Sequence, residues 1–466
     1  MSGERIKCMD IKQLVGEASE YDKKAELESR RPKSWCKSIS AFANGIGGIL
    51  VFGVTNDDEF VGMPNAEKDA ELISEHIKAH LNPIPDFILS FKKIDDKKFV
   101  IVEVRQGNQT PYYYEGDGQL IAFMRVGNES VPADPIKMRE LVLKGSGETY
   151  DALKSKYDFS NMSFTKLKSV YKQRTGNVFE DADYESFGIV DENGNLTNAG
   201  ALLADESPVK HSRLFCTRWN GLDKASGVID AVDDKEYSGG LITLLQAGID
   251  FVTNNSKKAW KKVNDGRIEL PEYPGRAVLE GLVNALIHRN YLQTGSEVHI
   301  DMFDNRIEIY SPGGMVGGDS LKDKDIMKIQ SKRRNPVLAD IFNRLKYMER
   351  RGSGFKKIIM DYQDQQNYSE ELKPLFEADT EDFLLTLFNL NYYEEKNVTQ
   401  DVTQDVTQEN LDVKILAMIK ENAHVSTKEI ADSLGVNART IKRHIKEMEN
   451  VVYVGSGYSG HWEIKE

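Results

Sequence analysis

Apolar positions along this chain recur at several spacings, and each spacing predicts a different element. Between Leu411 and Glu421, Val413, Ile415, Leu416 and Ile419 keep helical period among charged neighbours. Ser426 then stands as a cap before Thr427 to Leu434, with Glu429 three residues on as in a capping box, and Gly435 marks the stop. Asn437 caps a further predicted helix, Ala438 to Glu449, in which Ile441, Ile445 and Met448 face inward while Arg439, Thr440, Lys442, Arg443 and Lys446 point elsewhere. A hairpin is expected from Val451 to Val454, a glycine-rich tip, and His461 to Ile464. In the middle of the chain, Ala277 to His288 reads as an amphipathic helix. Val278, Leu282, Val283 and Leu286 form its core face, and Glu280, Asn284 and His288 recur every four residues on another. Alternation at Val298, Ile300 and Met302, and again at Ile307 and Ile309, predicts strands that break at Ser311-Pro-Gly-Gly314. Near the front, Trp35 to Asn44 predicts a helix, Gly47-Gly48 a turn, and Ile49 to Val54 a buried strand. Leu241 to Val252 reads as a core helix, and helical patterning around Phe164 to Tyr171 carries no motif.

Composition narrows the class. The chain has 466 residues, 40% of them hydrophobic, enough for several cores. It contains no apolar run long enough for a membrane span, and its charged start does not resemble a secretory signal, so a cytoplasmic protein with no membrane partner is expected. Cys8, Cys36 and Cys216 are far apart without a Cys-x-x-Cys pair, which supports neither a disulfide framework nor a cysteine zinc site. A net charge of −13 argues against coating nucleic acid over the whole surface, so any such contact has to come from local clusters. From Leu411 to the end, 8 Lys/Arg meet 8 Asp/Glu, yet Arg439, Lys442, Arg443 and Lys446 crowd together.

The repeat Val-Thr-Gln-Asp at Val398 and Val402, and with Glu closing it at Val406, cannot build a core and reads as a tether. Two helices joined by a tight glycine turn and followed by a hairpin form the helix-turn-helix layout with a wing. Along "VSTKEIADSLGVNARTIKRHIKEMEN" the segment resembles bacterial transcription regulators of the winged-helix class. That resemblance implies DNA contact, with Arg439, Thr440 and Arg443 as candidates for base edges and Lys442 and Lys446 for phosphates. One module of this size binds weakly alone, so a homo-oligomer or help from other domains is expected. A small helical domain with a solvated basic face is the blander alternative.

The Glu280-Asn284-His288 face, the Ser311-Pro-Gly-Gly314 break and "YMERRGSGFKKII" follow in an order that resembles the three boxes of the GHKL ATP-binding fold, in the divergent branch related to RecG helicases. "LTNAGALL" at Leu196 and "RRNPVLADIF" at Arg333 share the likeness, which spans about Asn195 to Leu390. It implies that Asn284 offers its amide oxygen to a Mg²⁺ bridging the phosphates of ATP, and that Glu280 orients or deprotonates an attacking water. Gly352 and Gly354 would cradle phosphate, with Lys332, Arg333, Arg334 or Arg351 as charge partners. His288, Ser311, Gly313 and Gly314 complete the expected pocket. One departure concerns the base. The family's Asp-x-Gly-x-Gly aspartate reads adenine, and Ser311-Pro-Gly313-Gly314 stands in its place, leaving Asp304 or Glu308 as substitutes. Nucleotide binding is expected, and hydrolysis is left open.

At the front, "SAFANGIGGILVFGV", preceded by Glu17 to Lys24, resembles the Schlafen AlbA-like domain over about Asp10 to Leu143. The resemblance implies nucleic-acid binding. In some members two acids five apart and a later acid hold a metal that cuts RNA, since clustered carboxylates retain the Mg²⁺ or Mn²⁺ that activates water. Glu17 and Asp22 match the first two positions, and Asp57 or Asp58 lies near the third. Exposed acids around a binding domain are the alternative. Lys23, Lys24, Arg30, Arg31, Lys33 and Lys37 form a basic run, and Tyr112 to Tyr114 either stack on bases or pack.

The fold class expected is therefore α/β and multidomain. It comprises an α+β Schlafen AlbA-like domain (1–145), a helical connector (146–194), a GHKL-like α/β sandwich (195–395), the linker (396–410) and a C-terminal winged helix (411–466). The function expected is an ATP-binding, nucleic-acid-binding, nucleotide-responsive transcriptional regulator. The rival is a metal-dependent nuclease on tRNA or DNA, gated by ATP and serving phage defence.

Overall fold

The computed structural model describes residues 19–224, 229–264, 266–316, 321, 325–329, 332–349, 354–379, 381–392, 408–434, 436, 438–448, 451–455 and 460–464; side chains at 408–413, 432, 438, 439 and 447 lie outside this description. The chain divides into two compact units, with the boundary in sequence between residues 392 and 393. The expectations for Glu17, Arg351, Gly352, Gly435, Asn437 and the repeat linker through residue 407 fall outside the described residues.

The first unit begins with β1 (Tyr21–Lys24), α1 (Lys33–Asn44), β2 (Gly48–Phe52), α2 (Ala66–His80), β3 (Leu81–Asn82), β4 (Phe87–Ile94) and β5 (Lys97–Val104). There follow β6 (Tyr113–Gly116), β7 (Gln119–Val126), β8 (Glu129–Pro132) and α3 (Pro135–Ser146). β1 runs parallel to β2, and β5 and β4 add antiparallel strands in the order β1-β2-β5-β4; a second sheet has the order β3-β6-β7-β8. β2 is buried at every position, as its unbroken apolar run requires. Gly48 leaves room for Phe42, because a Cβ there would lie 2.3 Å from the ring. Asn44 at the end of α1 donates to the carbonyls of Tyr112 and Phe123 at 3.0 Å and accepts from the Tyr112 N–H at 2.7 Å, tying helix to sheet. Tyr112 and Tyr114 are buried, so the packing reading of that triplet holds for both.

The connector contributes α4 (Thr165–Thr175) and α5 (Asp181–Ser186), which pack an aromatic cluster of Phe164, Tyr171, Phe179, Tyr184 and Phe187. Next come α6 (Asn198–Leu203), β9 (Leu214–Trp219), β10 (Ala231–Tyr237), α7 (Leu241–Asn255), β11 (Lys258–Val263), β12 (Gly266–Pro271) and α8 (Gly275–Ile287). β13 (Val298–Met302), β14 (Arg306–Pro312), α9 (Pro336–Arg344), α10 (Gly354–Gln363), β15 (Leu375–Ala378) and β16 (Asp382–Phe388) complete this region. Its main sheet has the order β10-β9-β13-β14-β16-β15, antiparallel except for β9 beside β13. Ile307 and Ile309 are buried while Arg306, Glu308 and Tyr310 between them are half-exposed, so one face of β14 meets the helices and the other does not. α8 crosses that buried face closely: a Cβ on Gly281 would come within 2.7 Å of Leu385 and 3.2 Å of Ile309.

The second unit holds α11 (Gln408–Glu421), α12 (Thr427–Leu434), α13 (Ala438–Glu447), β17 (Val451–Val454) and β18 (His461–Ile464). Its core is Ile415, Ile419, Val425, Ile430, Ala431, Ile441, Ile445 and Val451. The capping box forms as the sequence implies, with the Ser426 N–H on the Glu429 carboxylate at 2.8 Å and the Glu429 N–H on Ser426 Oγ at 3.2 Å. Trp462 in the wing anchors the hairpin, its backbone N–H donating to Ala423 and its indole to Val425.

Candidate functional site

A cavity enclosing about 690 Å³ of non-atom space, part of it open to solvent, is lined by Asn284, His288, Ser311, Gly313, Gly314, Met315, Val316, Ile329, Lys332, Gly354, Phe355 and Phe383. The three regions that the sequence suggested would converge do so here: the polar face of α8, the glycine turn after β14, and the start of α10.

Each wall has a local cause. α8 is held over the sheet by its apolar face, which leaves Asn284 and His288 toward the cavity. Among the described residues the Asn284 side-chain amide has no hydrogen-bond partner. Gly354 opens α10 against it, since a Cβ there would stand 3.0 Å from Asn284 Nδ2 and 3.7 Å from Glu280 Oε2. The absence of a side chain at residue 354 thus leaves space between the asparagine and the first turn of α10. The first turn of a helix in general leaves backbone N–H groups without intrahelical acceptors. Gly313 adopts φ +101°, and a Cβ there would lie 2.6 Å from the Asn290 side chain, so only glycine fits this turn.

His288 is half-buried, and its Nδ1 is buried without a partner. Burial first, and then the charges of Arg334 and Arg333, push its imidazole down to about 4, so the ring is neutral at physiological pH. A buried polar atom without a partner beside a cavity is unusual in a folded protein.

Other expected participants are used differently. Glu280 is buried, and its carboxylate is paired with Lys357 of α10 at 3.1 Å, with Lys357 also on Glu349 at 2.8 Å. It stands behind Asn284 rather than in the cavity lining. Arg334, expected to meet phosphate, instead braces the glycine turn by donating to the Gly314 carbonyl at 2.6 Å. Among the described residues Lys332 is the cation that lines the cavity; Arg333 is half-buried outside the lining. Neither carboxylate suggested for base reading reaches the cavity. Asp304 is engaged by Arg218, and Glu308 by Arg306 at 2.6 Å. Ser311 does line it, with its hydroxyl donating to the Ala285 carbonyl at 2.7 Å and its lone pairs left over.

Sequence reasoning missed two features. Phe355 and Phe383 stack with centroids 5.8 Å apart and planes 3° from parallel, an apolar wall joined by Met315, Val316 and Ile329. The position of Phe355 directly after Gly354 was the available signal. The second is a set of struts from α3. Glu140 accepts from Asn290 Nδ2 and lies 3.8 Å from Arg334, and Lys137 pairs with Glu381 at 3.1 Å, whose backbone carbonyl accepts the Gly313 N–H. No local pattern announces contacts between residues so far apart in sequence.

The front acids have a different setting. Asp22 is buried, and its carboxylate accepts from the Lys23 N–H at 2.7 Å, from Lys24 Nζ at 2.7 Å and from the Ser38 hydroxyl. Asp22 was expected as one acid of a metal site, and here its carboxylate already serves hydrogen bonds of the fold. Asp57 is exposed, Asp58 pairs with the buried Lys23, and no group of three or more potential metal ligands occurs among the described residues. Lys23 and Lys24 are likewise tied to carboxylates rather than presented as a basic face. In the second unit Lys442, Arg443 and Lys446 are exposed and Thr440 is half-buried, while the side chain of Arg439 lies outside the described residues.

Comparison with known proteins agrees with this division. Residues 17–134 match the family "Schlafen, AlbA_2", residues 295–387 match "Putative ATP-dependent DNA helicase recG C-terminal", and residues 408–450 match "Winged helix-turn-helix DNA-binding". The chain thus carries a Schlafen AlbA_2 domain, a RecG-C-terminal-type ATPase-like domain and a winged helix, within a mixed α/β architecture. The ATPase-like match begins after α8, so Glu280, Asn284 and His288 precede it. No curated protein matches. Among solved structures, the DIP2311 protein of Corynebacterium diphtheriae is 14% identical, covering 96% of this chain and 91% of that one, with a TM-score of 0.44. The N-terminal domain of a putative ATP-dependent DNA helicase RecG-related protein from Nitrosomonas europaea is 18% identical over 28% of this chain and 88% of its own, with a TM-score of 0.20. No helix among the described residues is long and apolar enough to cross a membrane.

Proposed function

We propose that this protein is a nucleotide-responsive, nucleic-acid-binding regulator whose cavity takes ATP with Mg²⁺. The observation that carries the proposal is the convergence on one cavity of an Asn284 amide with no partner among the described residues, a buried unpartnered His288 Nδ1, α10 from Gly354 and the Lys332 ammonium. These donors and acceptors suit a polyphosphate and its cation: Asn284 would hold the metal, and Lys332 and the first N–H groups of α10 would meet phosphate oxygens. The Phe355 and Phe383 wall suits the flat face of a base, and Ser311 offers it an acceptor. Bound ATP would supply concentrated negative charge and differential contacts. The assignment is binding rather than turnover, because the Glu280 carboxylate is already held by Lys357.

A ligand changes a conformational equilibrium only if it binds the two states unequally. The struts from α3 supply a physical link, since Glu140 and Lys137 of the front domain reach both sides of the turn that forms the cavity wall. The test is DNA affinity at fixed salt with and without ATP and Mg²⁺. The wild type is expected to shift by about tenfold, in line with a coupling of 1–3 kcal/mol. Asn284→Ala removes the shift by removing the ligand, and Glu140→Ala reduces it while ATP still binds. Equal affinities with and without nucleotide, in a protein that binds ATP, overturn the regulatory reading.

A further inference from the structure

Between α7 and α8 the chain leaves the body of the first unit as a two-stranded ribbon, β11 and β12, that pairs with no other strand among the described residues. All six residues of β11 are exposed, and Trp260 is 56% exposed, unusual for the largest apolar side chain. These residues lie outside all three family matches. The register places Lys258 opposite Pro271, Trp260 opposite Glu269 and Lys262 opposite Arg267, so these six share one face; Ala259, Lys261, Val263, Ile268 and Leu270 share the other. Within a chain of net charge −13, Lys258, Lys261, Lys262 and Arg267 outnumber Asp265 and Glu269. The Arg267 guanidinium lies 6.0 Å from the Trp260 ring centroid, keeping cation and aromatic on the same side.

The ribbon's root is fixed. The Lys257 N–H donates to the buried Glu272 carboxylate at 2.9 Å, the Leu390 N–H to the Glu272 carbonyl at 2.9 Å, and the Asn391 side chain to the Leu270 carbonyl at 2.7 Å. The ribbon is thus fastened at its base, with β11 exposed along its length and Ile268, Leu270 and Pro271 of β12 half-buried.

We infer that the ribbon is a second DNA-contacting element, separate from the winged helix, whose Lys258, Trp260, Lys262 and Arg267 face lies against the backbone of duplex DNA. Charge complementarity carries the choice, because phosphates are the partner that clustered cations on an acidic protein select. Shape agrees. A strand pair of six residues each is about 20 Å long, and a two-stranded ribbon enters the roughly 12 Å major groove of B-form DNA. The deep, narrow major groove of duplex RNA does not admit it, and single strands call for several stacking aromatics along a groove, where this face has one. Association with a second copy through the opposite face would have to desolvate Lys261, which stands in its middle. The inference does not depend on ATP binding.

The test uses the full chain and a random-sequence DNA duplex of about 30 base pairs, with affinity measured from 50 to 200 mM salt. Lys258→Gln/Lys262→Gln/Arg267→Gln is expected to lower the slope of log affinity against log salt by about 2–3, at roughly 0.9 for each phosphate that the variant no longer neutralises. Trp260→Ala should weaken binding several-fold with the slope unchanged. All substituted residues are exposed, and an unchanged melting curve shows that the fold is intact. A slope equal to that of the wild type, while Lys442→Gln/Lys446→Gln lowers it, overturns the inference. So does a change in elution volume with no change in DNA binding, which would assign the ribbon to self-association. An equal loss on single-stranded DNA and on duplex RNA overturns the choice of duplex DNA.

Discussion

Asp22 and Asn284 are both polar residues singled out by spacing, and their surroundings differ in the respect that matters. Asp22 is buried with its lone pairs taken by a backbone N–H, a lysine and a serine hydroxyl. Asn284 faces a cavity beside a histidine whose Nδ1 has no partner. A polar group whose hydrogen bonds are complete supports the fold, and taking up a ligand would require those bonds to break. One that is left wanting at a cavity is poised to take a ligand with no such loss. The contrast separates residues whose hydrogen bonding is complete from those still open to a ligand more sharply than motif position does.

The strongest way to break the comparison is Asp22→Ala. It takes the shared carboxylate away from Lys24, Ser38 and the Lys23 N–H at a buried position, and should cost about 3 kcal/mol in denaturant unfolding. If stability is unaffected while an Mn²⁺-dependent cleavage of tRNA disappears, the acid is catalytic after all. Next in size is Asn284→Ala, which should barely move the melting temperature of the ligand-free protein. It should, however, abolish the stabilisation of about 2.7 kcal/mol expected for the wild type at ATP a hundredfold above Kd. An undiminished thermal shift would show that the amide is not part of the site.

The smallest effect is a pH dependence. Burial and the neighbouring Arg334 and Arg333 hold folded His288 near 4, below the usual value of about 6.5 for an unfolded chain. Between those values the unfolded state binds the proton and the folded state does not. Stability contributed by the neutral ring is therefore full above about 6.5 and is lost as pH falls toward 4, with a slope of at most one proton. His288→Gln should flatten that part of the stability curve, and an unchanged slope would assign it to other groups.

Elements whose apolar period was strong were legible before any coordinates. The α8 face, the Ser426–Glu429 cap and the buried β2 strand all follow from local spacing. The cavity was legible in part, because Gly313 falls at a turn after a predicted strand, Gly354 in a glycine-rich segment, and Asn284 on the polar face of a predicted helix. What the sequence could not disclose were the pairings across the fold. Arg334 looks like any phosphate-binding arginine until the Gly314 carbonyl appears beside it, and Glu280 like any general base until Lys357 does. Long charged side chains reach partners that no periodicity specifies, so their roles are fixed by tertiary contact.

The struts between α3 and the glycine turn have a consequence for how this molecule can change over time. Because Glu140 meets Asn290 and Arg334, and Lys137 meets Glu381, the front domain and the ATPase-like region share a seam of paired charges. A charge reversal at residue 140 would have to be answered at residue 334, and one at residue 137 at residue 381. The two halves should therefore travel as a matched pair, and a hybrid assembled from two distant relatives would have a misfitted wall at the mouth of its cavity.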